Sequence, residues 1–146
     1  IHKHNGEILQ VQVKEITSAN IKFSFPGESL IQNIGKPAVA KIVYGSGREE
    51  IVSEYVSLKN DSDFEKIVIL TSKDETIGLV DKGEVVGKTA AISYQTPGTA
   101  NKASLNRIRK AALKLNAPFI LIEDVSHVGL GMSGQSIRRG RAFGYK

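Results

Sequence analysis

Three histidines, His2, His4 and His127, are the side chains of this sequence best suited to binding a metal ion. His2 and His4 are two residues apart, so on a β-strand both would project from one face and could bind Zn²⁺ or Cu²⁺ together. His127 would have to join them from a distant segment. The chain has no cysteine, so thiolate ligands are excluded. We therefore expect no bound cofactor, and metal binding through these histidines is kept as an alternative function.

Two other motifs could do chemistry, and neither has the context that its chemistry requires. Glu123, Asp124 and His127 could supply an acid–base pair, but neighbouring strand residues face opposite ways, so we expect a cluster of solvated side chains. Residues 129–134 match G-x-G-x-x-G, the fingerprint of dinucleotide-binding sites. That site needs a helix and a later acidic residue, whereas the twelve residues that follow read as a strand and contain no acid. We predict a non-enzymatic protein.

The positive charge is concentrated in the C-terminal third of the chain. The formal net charge is +5, and residues 97–146 carry nine Lys or Arg against two acidic residues. Such a patch can attract an anionic partner, although a solvated helix face is the simpler alternative. The candidate anionic-partner surface consists of Arg107, Lys110, Lys114, Arg138, Arg139 and Arg141. Nucleic-acid binding through the same residues is a second alternative, which the lack of any recognisable nucleic-acid motif disfavours.

The first part of the chain, residues 1–60, reads as a small antiparallel β-meander module. Apolar residues alternate with polar ones, and turn residues separate the alternating stretches. The predicted strands are 7–16, 21–25, 38–44 and 49–56.

The second part, residues 61–146, reads as a small α+β domain with one main amphipathic helix on a mostly antiparallel sheet. Leu105, Ile108, Ala112 and Leu115 recur at helical spacing and should form the buried face. Thr96 or Thr99 can cap the start of the helix, and Asn116 suits a left-handed residue at its end. The predicted strands are 64–70, 76–88, 119–125 and 136–145.

Several short motifs of this second part occur together in known bacterial domains. They are Gly83-Glu-Val-Val-Gly87, the helix end at 111–117, the strand Phe119-Ile-Leu-Ile122 and the terminal Gly140-Arg-Ala-Phe-Gly144. In this order they resemble the YbjQ-type family, which carries a heavy-metal-binding label, and the outer-membrane sensor lipoprotein of the Rcs envelope-stress system. The resemblance covers residues 64–146 and speaks to fold more than to function.

The resemblance implies an exported protein of the bacterial cell envelope, periplasmic or associated with the outer membrane. Its signal segment would have been removed, and a lipid anchor upstream of Ile1 is compatible with it. It further implies an interaction module that acts through a protein partner or by self-association, since YbjQ-type domains form rings. Two features depart from the family: the chain lacks the cysteines of the Rcs sensor, and residues 1–60 add a module. No segment approaches the roughly 20 apolar residues that a transmembrane helix needs.

Overall fold

The fold is α+β, as the sequence predicts, with β-strands predominating and one main helix. The computed structural model describes residues 1–89, 97–128 and 135–146, with the backbone alone at 97–99. The chain divides into two compact units. Unit 1 consists of residues 1–55, 71–80 and 145–146, and unit 2 of residues 56–70 and 81–144. This division differs from the single boundary near residue 60 that the sequence predicts, because the chain crosses between the units four times.

Unit 1 contains two three-stranded antiparallel sheets, ordered β2-β3-β4 and β1-β5-β6. Its core consists mainly of Ile, Val and Phe side chains, of which Ile21, Val39 and Ile42 are almost fully buried. Leu9, Val11 and Val13 pack against that core, as their alternation predicts. The strands are β1 His2–Lys3, β2 Gln12–Ile16, β3 Asn20–Ser24, β4 Gln32–Gly35, β5 Val39–Val43 and β6 Glu49–Ile51.

Residues 71–80 complete unit 1 although they lie beyond the predicted boundary. They include a 3-10 helix, Lys73–Thr76, and their backbone runs against the end of β4. The Gly35 amide donates a hydrogen bond to the Ile77 carbonyl at 2.8 Å, and a Cβ at Gly35 would collide with the backbone of Glu75. Glycine is required at this position because the two backbones approach too closely for any side chain.

Unit 2 is built on one four-stranded sheet with the order β7-β9-β10-β8. Strand β7 pairs parallel to β9, and β9 pairs antiparallel to β10 with a bulge beside Arg139, so the sheet is mixed. The helix α1 packs on this sheet, and a 3-10 helix, Asp61–Lys66, packs against α1. The elements are β7 Val68–Leu70, β8 Val80–Lys88, α1 Pro97–Lys114, β9 Phe119–Val128 and β10 Gln135–Gly144.

The buried face of α1 follows the predicted spacing in part. Ile108 and Ala112 are completely buried, and Leu105 packs against the same core. Leu115 lies beyond the end of the helix and is 38% exposed, so its assignment to the buried face was wrong. Asn116 adopts the predicted left-handed conformation with φ of 49°. The predicted caps Thr96 and Thr99 lie outside the residues and side chains that the structure describes.

Candidate functional site

Three of the six predicted cations share one face of α1. Arg107, Lys110 and Lys114 are spaced by three and four residues, which places them in one row along a helix. We call these three residues the cationic face. All three are exposed, and α1 contains no acidic residue. Like charges at these spacings destabilise a helix by about 0.2–0.5 kcal/mol per pair, so the row carries a cost in stability.

The contacts of the cationic face leave its charge uncompensated. Arg107 donates a hydrogen bond to the backbone carbonyl of Lys88, and the Lys110 ammonium lies 4.8 Å from the centre of the Phe64 ring. Neither partner is an anion. Within the described part of the chain, no residue of the cationic face forms an ion pair. The face therefore presents a net positive field to solvent.

Arg138 lies on a different surface, on the side of the sheet that α1 covers. Its Nε donates a hydrogen bond to the Ser104 hydroxyl at 3.0 Å. The half-buried Arg138 side chain thus links β10 to α1. It is not part of the cationic face.

Arg139 and Arg141 project from the opposite side of the sheet, since strand residues alternate. Arg141 forms an ion pair with Asp81 of β8. The backbone N–H of Gly83 and the Arg141 guanidinium together lower the pKa of Asp81, and the same ion pair raises the pKa of Arg141. Much of the Arg141 charge is thus compensated. The predicted six-residue surface is therefore divided: Arg107, Lys110 and Lys114 share the face of α1, and Arg139 and Arg141 share the other side of the sheet.

A buried network of hydroxyl groups, which the sequence does not predict, joins α1 to the sheet. The Ser104 and Ser136 hydroxyls lie 3.2 Å apart, and the Ser136 hydroxyl is 3.4 Å from the side-chain oxygen of Asn101. The Ser136 amide donates to the hydroxyl of Thr89 at 2.8 Å. Ser104, Ser136 and Thr89 are almost fully buried. Ser104 is four residues before the buried Ile108 on α1, and Ser136 is an even number of residues before the buried Ala142 on β10. This shared periodicity with the apolar core is the one sequence signal that could have predicted their burial.

The three histidines lie in different surroundings. His2 belongs to β1, opposite Lys41. His4 follows that strand in a turn and contacts Ser53, and His127 belongs to β9 opposite Ser136 in unit 2. Among the residues that the structure describes, no three His, Cys, Asp or Glu side chains are grouped as metal ligands.

The acidic residues beside His127 are not arranged as an acid–base pair. Asp124 is paired with Arg139 and His127 with Ser136, and these two pairs lie on opposite faces of the sheet. Glu123 occupies the bulge on the other side of Asp124, between Asp124 and Ile122. The Gly-rich motif at 129–134 lies outside the described residues.

Comparison with known proteins adds no assignment. No family model, curated protein or solved structure matches the chain significantly. Of the helices in the described ranges, none has the length and apolar character needed to cross a bilayer.

Proposed function

We propose that this protein is a non-enzymatic interaction module of the bacterial cell envelope, and that the cationic face of α1 binds an acidic surface of a protein partner. The observation that carries the proposal is the composition of α1. This helix has five cationic residues and no acidic one, and none of its cations forms an ion pair within the described chain. Solvated helix faces commonly pair opposite charges, so a uniformly positive row is better accounted for by a partner.

The form of the face supports a protein partner over a membrane. A helix that lies in a bilayer surface carries large apolar residues such as Trp, Phe or Leu beside its cations. Along its row the cationic face neighbours Ala103, Asn106 and Ala111, which are small or polar, and Leu113, which packs against the core of unit 2. They allow a second surface to approach the cations closely but offer nothing to insert among lipid chains.

Self-association through this face is disfavoured by its charge. A two-fold contact sets the same surface against itself, which would oppose cations to cations. If the protein forms oligomers, as the YbjQ-type resemblance implies, another surface would mediate them. The envelope location rests on that resemblance alone and is part of the proposal.

The proposal is tested by cross-linking in the native host. A photoreactive amino acid at Asn106, within the row of the cationic face, should form adducts with protein in the envelope fraction. The matched control carries it at Lys73, an exposed residue of the 3-10 helix of unit 1, and should not. Adducts with nucleic acid, or equal adducts at both positions, would overturn the proposal.

A charge-reversal series then identifies the residues. Reversing Arg107, Lys110 and Lys114 to Glu should weaken binding to the captured partner by about threefold to a hundredfold, from about 0.2–1 kcal/mol per exposed contact. The control reverses Lys14, Lys59 and Lys73, which are exposed and change the net charge equally. Wild-type binding should weaken as salt is added, because exposed charges are screened.

A further inference from the structure

His4 lies at the centre of an aromatic cluster in unit 1 that the cationic face does not involve. Its ring centre is 5.1 Å from the ring of Tyr145 and 5.7 Å from that of Tyr55. The two tyrosine rings are stacked on each other, with centres 4.7 Å apart and planes 19° apart. We call His4, Ser53, Tyr55 and Tyr145 the His4 cluster.

The hydrogen bonds of the His4 cluster define which nitrogen of the imidazole carries the proton. The Ser53 hydroxyl donates to the carbonyl of Val39 at 2.7 Å, which uses its only hydrogen. The Nε2 of His4 is 2.8 Å from the same hydroxyl oxygen and must therefore donate to it. In the neutral ring Nδ1 then carries no hydrogen, and it is the atom that a further proton would occupy.

The cluster contacts two chain segments, one where the chain leaves unit 1 and one where it returns to unit 1. Tyr55 is the last residue before the chain enters unit 2, and Tyr145 is the first after it returns. His4 contacts both rings and also binds Ser53, two residues before Tyr55. One imidazole thus joins the ends of two segments that are 90 residues apart in the sequence.

We propose that the His4 cluster is an acid-sensitive conformational switch, which holds residues 53–55 and 145–146 together while His4 is neutral and releases them when it gains a proton. A proton at Nδ1 creates a charge beside two aromatic rings and needs an acceptor. In the described chain no carboxylate lies within ion-pair distance of His4. The charged ring would have to turn toward water, which breaks the bond to Ser53 and separates the tyrosines.

Burial of the ring disfavours the protonated form of His4, and the nearby acidic residues do little to favour it. Burial lowers the pKa of His4, so the neutral form is favoured in the folded protein. The charged or titratable residues on the packed segments are His2, Lys3, Glu7, Lys41, Glu54 and Lys146. Glu7 forms an ion pair with Lys3, and Glu49 forms one with Lys41. The charges of Glu7 and Glu49 are thus already compensated by lysines. Attraction of an imidazolium to the tyrosine rings, whose centres lie 5.7 and 5.1 Å from that of His4, opposes release.

The switch is tested by titrating the assigned ring signals of His4, Tyr55 and Tyr145 by NMR, from about pH 8 to about pH 5. The His4 midpoint should lie below the ordinary value of about 6.5, and both tyrosine rings should lose their stacked shifts with the same midpoint. In protein with Tyr44→Phe and Tyr94→Phe, the near-ultraviolet circular dichroism of the remaining tyrosines should fall in parallel. Tyrosine signals that stay constant, or change with another midpoint, would overturn the switch.

Matched variants separate His4 from the other histidines. His4→Gln can still donate to Ser53 but does not titrate, so its tyrosine signals should no longer respond to pH in this range. His2→Gln, on the adjoining strand β1, should respond as the wild type does. A response that persists in His4→Gln contradicts the proposal. If His4→Gln fails to fold, coincidence of the His4 and tyrosine midpoints in the wild type decides the matter.

Discussion

The hydroxyl oxygens of Ser104 in α1 and Ser136 in β10 lie 3.2 Å apart in the interior of unit 2. Ser104 also accepts a hydrogen bond from Arg138 and donates one to the carbonyl of Asn101. These bonds satisfy polar groups that burial would otherwise make costly. They connect the helix that carries the cationic face to the sheet beneath it.

Replacing Ser104 by Ala should lower the free energy of unfolding by about 1–3 kcal/mol. The change removes the acceptor for the Arg138 Nε and one partner of the Ser136 hydroxyl, and both groups remain buried or half-buried. Urea denaturation measures the effect. Ser62→Ala, at an exposed position of the 3-10 helix before β7, serves as the control and should change stability by no more than about 0.5 kcal/mol. Equal effects at both serines would contradict a role for the network.

Gly87 permits the close contact between α1 and β8, and Gly87→Ala should be severely destabilising. A Cβ there would lie 2.7 Å from the Ile108 amide nitrogen and would also collide with the Ser104 carbonyl. Because both are backbone atoms, the helix must shift, and we expect a loss of about 1–3 kcal/mol or more. Thermal denaturation of Gly87→Ala and Gly45→Ala is the matched comparison, since a Cβ at Gly45 meets nothing within 4 Å. A normal melting temperature for Gly87→Ala would contradict this packing.

Asp63 should make the stability of the fold sensitive to acid. The Lys66 ammonium and the backbone N–H groups of Lys59 and Asn60 hold the pKa of this carboxyl well below its usual range. Because the folded-state pKa lies below the unfolded value of about 3.9, Asp63 stabilises the protein above that pH. The stabilisation is lost as the pH falls from about 4 through the folded-state pKa.

The corresponding measurement is the free energy of unfolding as a function of pH. Asp63→Asn should be less stable than the wild type at neutral pH and should lose less stability on acidification. Asp61→Asn, an exposed position of the same 3-10 helix, should retain the wild-type slope. Identical slopes in the wild type and Asp63→Asn would show that the carboxylate is not held as described.

Lys110→Glu should weaken partner binding by the cationic face, by up to about fivefold from about 0.2–1 kcal/mol for one exposed contact, without unfolding the protein. The new carboxylate would face Arg107 and Lys114, turning two repulsive pairs into attractive ones at about 0.2–0.5 kcal/mol each. This offsets the lost contact of the ammonium with Phe64, about 0.5–1 kcal/mol at an exposed site. Stability within about 0.5 kcal/mol of the wild type by urea denaturation is expected. Lys110→Ala loses the contact with Phe64 and gains no attractive pair with Arg107 or Lys114, so it should be the less stable of the two variants.

The sequence predicts the regular elements where periodicity is strong, and their type is confirmed there. Strands β3, β5, β9 and β10 and helix α1 lie within one to three residues of their predicted ranges at most ends. Residues 61–66 were predicted in part as strand and form a 3-10 helix, because Asp63 binds the backbone of Asn60 and Lys59 at its start. Strand β1 was missed because two residues carry no periodicity.

The grouping of the candidate site could be predicted only for its helical part. Helical spacing alone places Arg107, Lys110 and Lys114 in one row. Strand alternation predicts that Arg138 and Arg141 lie on opposite sides of the sheet. Their partners, Ser104 and Asp81, could not be predicted because they belong to elements distant in sequence. Likewise, nothing local shows that Glu75 and Ile77 pack on Gly35, so the interleaved units depend on tertiary contacts.

The four crossings between the units bear on how the chain folds during synthesis. Unit 1 lacks Tyr145 until nearly the whole chain has been made, and unit 2 pairs Val68 with Phe119 across the intervening helix. Such non-local pairing slows folding, because a long loop must close before its contacts form. A nascent chain halted after residue 60 would lack Gly78, which lies against Ile34 and Ala38, and Leu79, which packs on the core of unit 1. The two units are therefore expected to reach their native form together, in one cooperative event late in translation, and not in succession from the N-terminus.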